Sequence, residues 1–250
     1  YKGCEFMNKK IDMLNGDIKK VLVALSLPII AANFVQMAFG ITDMIWIGRL
    51  GTDAVSAIGT ANFYISLATG ISYLIVIGTG VRVAQSIGAG KHDQAKGYTY
   101  NSLIAALLVS TVFSIIAFIF ATPLISFFNM GNPALEAMSA TYLRHALFGV
   151  PFLFLATVIT TVLTSYGNTN LTFKANAIGL VLNIILDPIM IFGWFGMPAL
   201  GVIGAAWATT ISRGVTLAVQ LMFANDEIKS SVSSAIDASK VKDVMEISWP

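Results

Sequence analysis

The sequence predicts an all-α membrane protein with six spanning helices, and three observations carry that prediction. Only 11% of the 250 residues are charged while 56% are hydrophobic, against about 25% charged in a soluble domain. The mean hydropathy is +0.77. The apolar residues also gather into runs of the roughly 20 residues that a helix needs to cross hydrocarbon, longer than a spanning strand requires.

Taken in order, the runs cover about 21–47, 55–80, 98–121, 138–163, 173–195 and 202–224. Turn chemistry separates them at Gly48–Asp53, Gly88–Gly97, Asn129–Pro133, Tyr166–Asn170 and Gly196–Gly201. Lysines orient them. Lys9, Lys10, Lys19 and Lys20 precede the first run, Lys91 and Lys96 follow the second, Lys174 opens the fifth, and Lys229, Lys240 and Lys242 follow the sixth. Arg49 is the lone basic residue in the other connections. The positive-inside rule then places the N-terminus in the cytoplasm of a multi-pass protein of the cell membrane.

Met7-Asn-Lys-Lys reads as a natural start, so residues 1–6 are taken as non-native and 1–16 as a cytoplasmic N-terminal segment. Residues 17–224 form the six-helix unit. Near the start, Lys20, Ser26 and Pro28 stand at the spacing that Lys242, Ser248 and Pro250 repeat at the end. Residues 225–250 are therefore expected to be a cytoplasmic linker and the start of a second repeat. The expected whole is two parallel six-helix halves, with the sequence truncated at the start of the seventh helix.

Several function classes are excluded. A net charge of +2 is too small for nucleic-acid binding, and Cys4 alone makes no disulfide framework or cysteine metal site. GAGK at 88–91 lacks a phosphate loop's other residues: Gln85 stands where a glycine is needed and His92 where Ser or Thr is needed. His92 reads as a solvated loop residue, and His145, beside Arg144, as an interface residue. No enzyme and no cofactor are expected.

Polar residues inside hydrocarbon are costly and mark function. Asn33, Gln36, Gly40 and Asp43 share one face of the first span, and Asn183 and Asp187 share a face of the fifth. Pro188 has no N–H and frees the carbonyl of Ile184. At about 1.5 Å per residue, Asp43, Asp187 and Thr209 lie at similar depths, roughly 8–13 Å from one end of their spans. Carboxylates, an amide oxygen, a hydroxyl and a free carbonyl make an all-oxygen set for Na+, and the same carboxylates can carry a proton; the alternative is hydrogen-bonding glue between helices. Thr160 and Thr161 belong to a polar stripe in the fourth span with Thr157 and Thr164, suited to substrate contact or to packing. Arg213 lies near mid-span, facing the cavity or pairing with a carboxylate. Pro28 and Pro188 are candidate bending points.

These segments together resemble the N-terminal half of a MATE (multidrug and toxic compound extrusion) transporter. The resemblance rests on LSLPIIAANFVQMAFGITDMIWIGRLG in the first span, VAQSIGAGKHDQAKG after the second, SYGNTNLTF after the fourth, LNIILDPI in the fifth and GVIGAAWATTIS in the sixth. It implies the six-helix N-lobe of a two-lobe (6+6) transporter that exports cationic or amphipathic drug-like compounds by Na+ or H+ antiport. Asp43, Asn183, Asp187 and Thr209 would form the cation site. Gln36 and Pro28 match positions linked to substrate and to helix bending, and Asn33, Thr160, Thr161 and Arg213 join Gln36 as substrate-path candidates. The implied partners are the lipid bilayer, the small-molecule substrate and the second lobe of the same chain. Arg213 departs from the pattern by adding a positive charge beside a cavity expected to take cations. A lipid-linked oligosaccharide flippase or polysaccharide exporter of the same superfamily is the alternative.

Overall fold

The computed structural model describes residues 18–224 and 237–248. The expectations for 1–16, for 225–236 and for Pro250 lie outside the described residues, as does the side chain of Pro28. The described secondary structure is helical: α1 (Ile18–Gly48), α2 (Thr52–Gly88), α3 (His92–Ile119), α4 (Ala121–Ser126), α5 (Pro133–Ala146), α6 (Val150–Ser165), α7 (Thr169–Phe192), α8 (Val202–Phe223) and α9 (Ala238–Ser248). Among the described residues, six stretches are long and apolar enough to cross a membrane: Ile30–Gly48, α2, α3, Pro133–Ser165, α7 and α8. Short turns join α1 to α2, α2 to α3 and α6 to α7, while α4 lies between α3 and α5.

The helices extend further than the apolar runs. α2 continues to Gly88 and α3 already starts at His92, so His92 opens a helix instead of lying in a loop. Nothing between Arg82 and Ser86 breaks the helical ladder; the break comes at Gly90, whose φ of +71° an L side chain rarely adopts.

The fourth span differs from the continuous helix expected over 138–163. It is two helices, α5 and α6, joined by a 3₁₀ turn at Leu147–Gly149. The cause is Pro151 at the first turn of α6. It cannot donate to the carbonyl of Leu147. That oxygen instead accepts the Val150 N–H and the hydroxyl of Ser114 at 3.2 Å, so the interruption is satisfied within the bundle.

Small residues and hydroxyls hold the helices close, as apolar surroundings favour. Ala54, Ala57, Ala61 and Ala68 of α2 are buried, and Ser139 of α5 donates across them to the Ala57 carbonyl at 2.8 Å. Thr79 of α2 donates to Ser102 of α3 at 2.8 Å. α7 packs on α8 most extensively. A Cβ at Gly204 would strike the backbone of Met190 and Ile191, and the returning loop donates from Leu200 N–H to Met190 O at 3.0 Å and from Gly201 N–H to Ile191 O at 3.1 Å.

α1 stands apart. It packs chiefly on α7, with Trp46 edge-on to Phe192 and Trp194. Leu22, Phe34, Met37 and Ile45 remain exposed. α9 lies across α2 and α3 at the opposite end of the bundle from Trp46. Just before it, the Asp237 N–H donates to Asn101 Oδ1 at 2.7 Å; within it, Val244 is buried, and Asp243 accepts from the Tyr98 hydroxyl at 3.1 Å with Arg82 at 4.0 Å.

Candidate functional site

Three helices each bring polar side chains to one place. From α7, Asn183 and Asp187 project on the same face because they are one turn apart; the Asn183 amide donates to Asp187 Oδ1 at 3.2 Å. Both are fully buried. From α8, the Thr209 hydroxyl donates to Asp43 Oδ2 of α1 at 3.3 Å. The Asp43 carboxyl also reaches the side chains of Asp187 and Asn183. The close α7–α8 approach at Gly204 and the α1–α7 contact set this geometry.

The chemistry of the cluster is unbalanced. Asp43 Oδ1, Asp187 Oδ2 and Asn183 Oδ1 are buried without a hydrogen-bond partner among the described residues. Buried acceptors are normally satisfied, and leaving one unmet costs about 1–3 kcal/mol. An ionised carboxylate only accepts hydrogen bonds, so two of them in contact need a proton or a cation between them. The donor set is oxygen throughout, which suits a hard cation or a proton and not a soft metal.

Asp43 and Thr209 also line a cavity of about 270 Å³ bounded by α1, α2, α5 and α8. Gln36, Asn62, Tyr142 and Arg213 share its wall, while Asn183 and Asp187 do not. The aspartate of α1 is therefore the link between the buried cluster on α7 and the open space.

The other sequence candidates are placed as follows. Gln36 and Arg213 line the cavity; Asn33 is exposed and does not. Thr160 faces α8, where its hydroxyl accepts from Gln220 Nε2 at 2.9 Å. Thr161 packs its methyl against Gly80 of α2. Neither reaches the cavity. Thr157 donates to the carbonyls of Leu153 and Phe154 in its own helix. Pro188 is buried within α7, and α1 is helical across position 28. Arg144 donates to Thr122 at 2.9 Å, and His145 lies against Trp207. Sequence reasoning missed Asn62, Ser66 and Thr69, which line the cavity from α2. Their spacing of four and three residues in an apolar helix was the available signal. Tyr142 of α5 carried none.

Six apolar spans, with a polar cavity between four of the helices and two carboxyls meeting beside it, define an integral membrane protein. The family model that matches is MatE, over residues 28–189, and the chain belongs to that family. It is 32% identical over 200 residues to the probable multidrug resistance protein YoeA of Bacillus subtilis, covering 78% of this chain and 42% of that protein. It is 29% identical to the probable multidrug resistance protein NorM of Thermotoga maritima, with 85% and 46% covered, and 29% identical to the FAD transporter of Shewanella oneidensis, with 85% and 47% covered. Among solved structures, the outward-facing conformation of a multidrug resistance MATE family transporter of the MOP superfamily superposes with a TM-score of 0.83 at 26% identity, covering 93% of this chain and 52% of that one. A MOP superfamily transporter from Pyrococcus furiosus, described by the reverse polarity of its binding pocket, gives 0.82 at 26% identity, with 99% and 53% covered. The chain spans about half the length of the curated relatives it matches.

Proposed function

We propose that this chain is the ion-coupled lobe of a multidrug efflux transporter of the cell membrane, with its N-terminus in the cytoplasm, exporting cationic or amphipathic drug-like compounds by antiport against Na+ or H+. The observation that carries the reading is the meeting of Asp43 and Asp187 from distant segments, with three unmatched buried oxygens around them. Asp43, Asn183, Asp187 and Thr209 hold the ion. Gln36 and the rest of the cavity wall meet the cargo, and no cofactor or nucleic acid takes part.

Loading the cluster cancels buried negative charge. An ion that binds one arrangement of α1, α7 and α8 better than another shifts the balance between them by that difference in affinity. Pro28 and Pro188 are where these helices can bend. The exposed apolar face of α1 meets a second six-helix lobe across the cavity. Multidrug relatives support this cargo class over the oligosaccharide flippase alternative.

The test is Asp187→Asn in the protein at its natural length, expressed in a drug-hypersensitive strain. The expected result is loss of drug resistance at an unchanged expression level. Unchanged resistance overturns the assignment.

A further inference from the structure

Arg213 is a charge in the middle of a membrane-spanning helix. It sits 11 residues after Val202 and 10 before Phe223, at the two ends of α8, about 15 Å from either end. That is too far for the side chain to snorkel out. Such a charge faces a partner or a water-filled space. Arg213 lines the cavity, and its electrostatic neighbours there are Tyr142 and Asp43. Among the described residues, no carboxylate comes within ion-pair distance of it.

Among the described residues the cavity wall carries two charged side chains, and they are opposite in sign: Asp43 on α1 and Arg213 on α8. Asp43 is engaged with Thr209 and Asp187. The five N–H donors of the guanidinium are arranged for bidentate contact with a carboxylate. The Tyr142 hydroxyl and the Asn62 amide stand in the same wall as further donors.

We propose that Arg213 is the specificity-determining residue of the cavity, anchoring the carboxylate of a zwitterionic cargo whose ammonium group faces Asp43. This rests on the reading that the cavity holds cargo. An ammonium at Asp43 competes with the coupling ion for the same carboxylate, as exchange requires. A carboxylate on Arg213 adds affinity without touching the ion cluster. Purely cationic compounds gain only the Asp43 contact and are repelled by the guanidinium.

The test uses three naphthalene ligands matched in ring and differing in charge: naphthoate, naphthylmethylammonium, and an aminomethylnaphthoate carrying both groups. Binding is measured by calorimetry on the natural-length protein in nanodiscs. The wild type is expected to bind the zwitterion at least about tenfold more tightly than naphthylmethylammonium, the scale of one charge-assisted contact. Arg213→Gln removes that advantage and strengthens naphthylmethylammonium, and Arg213→Lys keeps part of it. Asp43→Asn does the reverse, retaining naphthoate while weakening naphthylmethylammonium. This second variant decides the question if Arg213→Gln does not fold, and loss of both ligands in it overturns the proposal. Equal binding of zwitterion and cation by the wild type, or an advantage that survives Arg213→Gln, overturns the role of Arg213 while leaving the cavity as a cargo site. Failure of all three ligands on the wild type overturns both.

Discussion

Two charged clusters tie helices together in this molecule, and they are built on opposite principles. At the α9 end, Arg82, Tyr98 and Asp243 form a set that neutralises itself: a cation and an anion 4.0 Å apart with a hydroxyl donating to the anion. In the middle of the bundle, Asp43 and Asp187 set two acids against each other, with the amide of Asn183, the hydroxyl of Thr209 and the electrostatic influence of the Arg213 guanidinium around them. The first cluster pairs its charges within the chain and leaves one buried donor, Arg82 Nε, without a hydrogen-bond partner among the described residues. The second leaves three buried acceptors unmatched among the described residues, on Asp43, Asp187 and Asn183. On the proposed reading, the cluster that sets acid against acid is the one that holds an ion, and the one that sets acid against base holds α9 in place.

Removing a carboxylate from each cluster breaks or sharpens that contrast. The largest effect is expected at Asp187. Asp187→Asn relieves the clash of like charges, so it abolishes ion-driven export while raising the midpoint of thermal unfolding in detergent. Lost export together with a lowered midpoint would make Asp187 a folding residue like Asp243.

Next in size is the packing that sets up the inner cluster. Gly204→Val forces a side chain against the backbone of α7 and is expected to cost about 1–3 kcal/mol, seen as a lower midpoint in size-exclusion thermal scans, with weakened ion binding. An unchanged midpoint would mean that the α7–α8 contact does not hold the site.

Asp243→Asn is smaller. Both partners of this ion pair are partly exposed, so the loss is at most about 1 kcal/mol. α9 should become more accessible to protease while ion binding stays as in the wild type. A change in ion binding would join the two clusters into one system.

The smallest effect is one of pH. The Ser239 hydroxyl, followed by its backbone N–H, holds the Asp237 carboxyl below the usual carboxylate range. A carboxyl depressed on folding stabilises above its unfolded pKa, and that contribution is lost as pH falls through the folded value. α9 should therefore loosen on acidification, read by hydrogen exchange over 237–248, and Asp237→Asn should remove the pH dependence.

Much of this was legible in the sequence because lipid imposes a simple code. Long apolar runs and Gly/Asn turns located the six spans, and depth along each helix brought Asp43, Asp187 and Thr209 to one level before any packing was known. What depth and face cannot tell is which neighbour a face meets. Thr160 and Thr161 share a stripe, yet one turns to Gln220 and the other to Gly80. Asn33 shares a face with Gln36 and Asp43 but sits a turn too far along α1 to reach the cavity. The fourth span was expected to be continuous although Pro151 stood in it, and that the Ser114 hydroxyl would answer the freed carbonyl depends on a contact between residues 33 positions apart. The seat of α9 on Asn101 is longer in range still.

The central claim is that Asp43 and Asp187 form one site for one positive ion. A double-mutant cycle on ion binding tests it most directly, with Na+ titrated at fixed pH and protons titrated at fixed Na+ for the wild type, Asp43→Asn, Asp187→Asn and the pair. The account predicts that either substitution alone removes the bound ion as fully as both together. Independent, additive losses, or wild-type binding in either single variant, would contradict it.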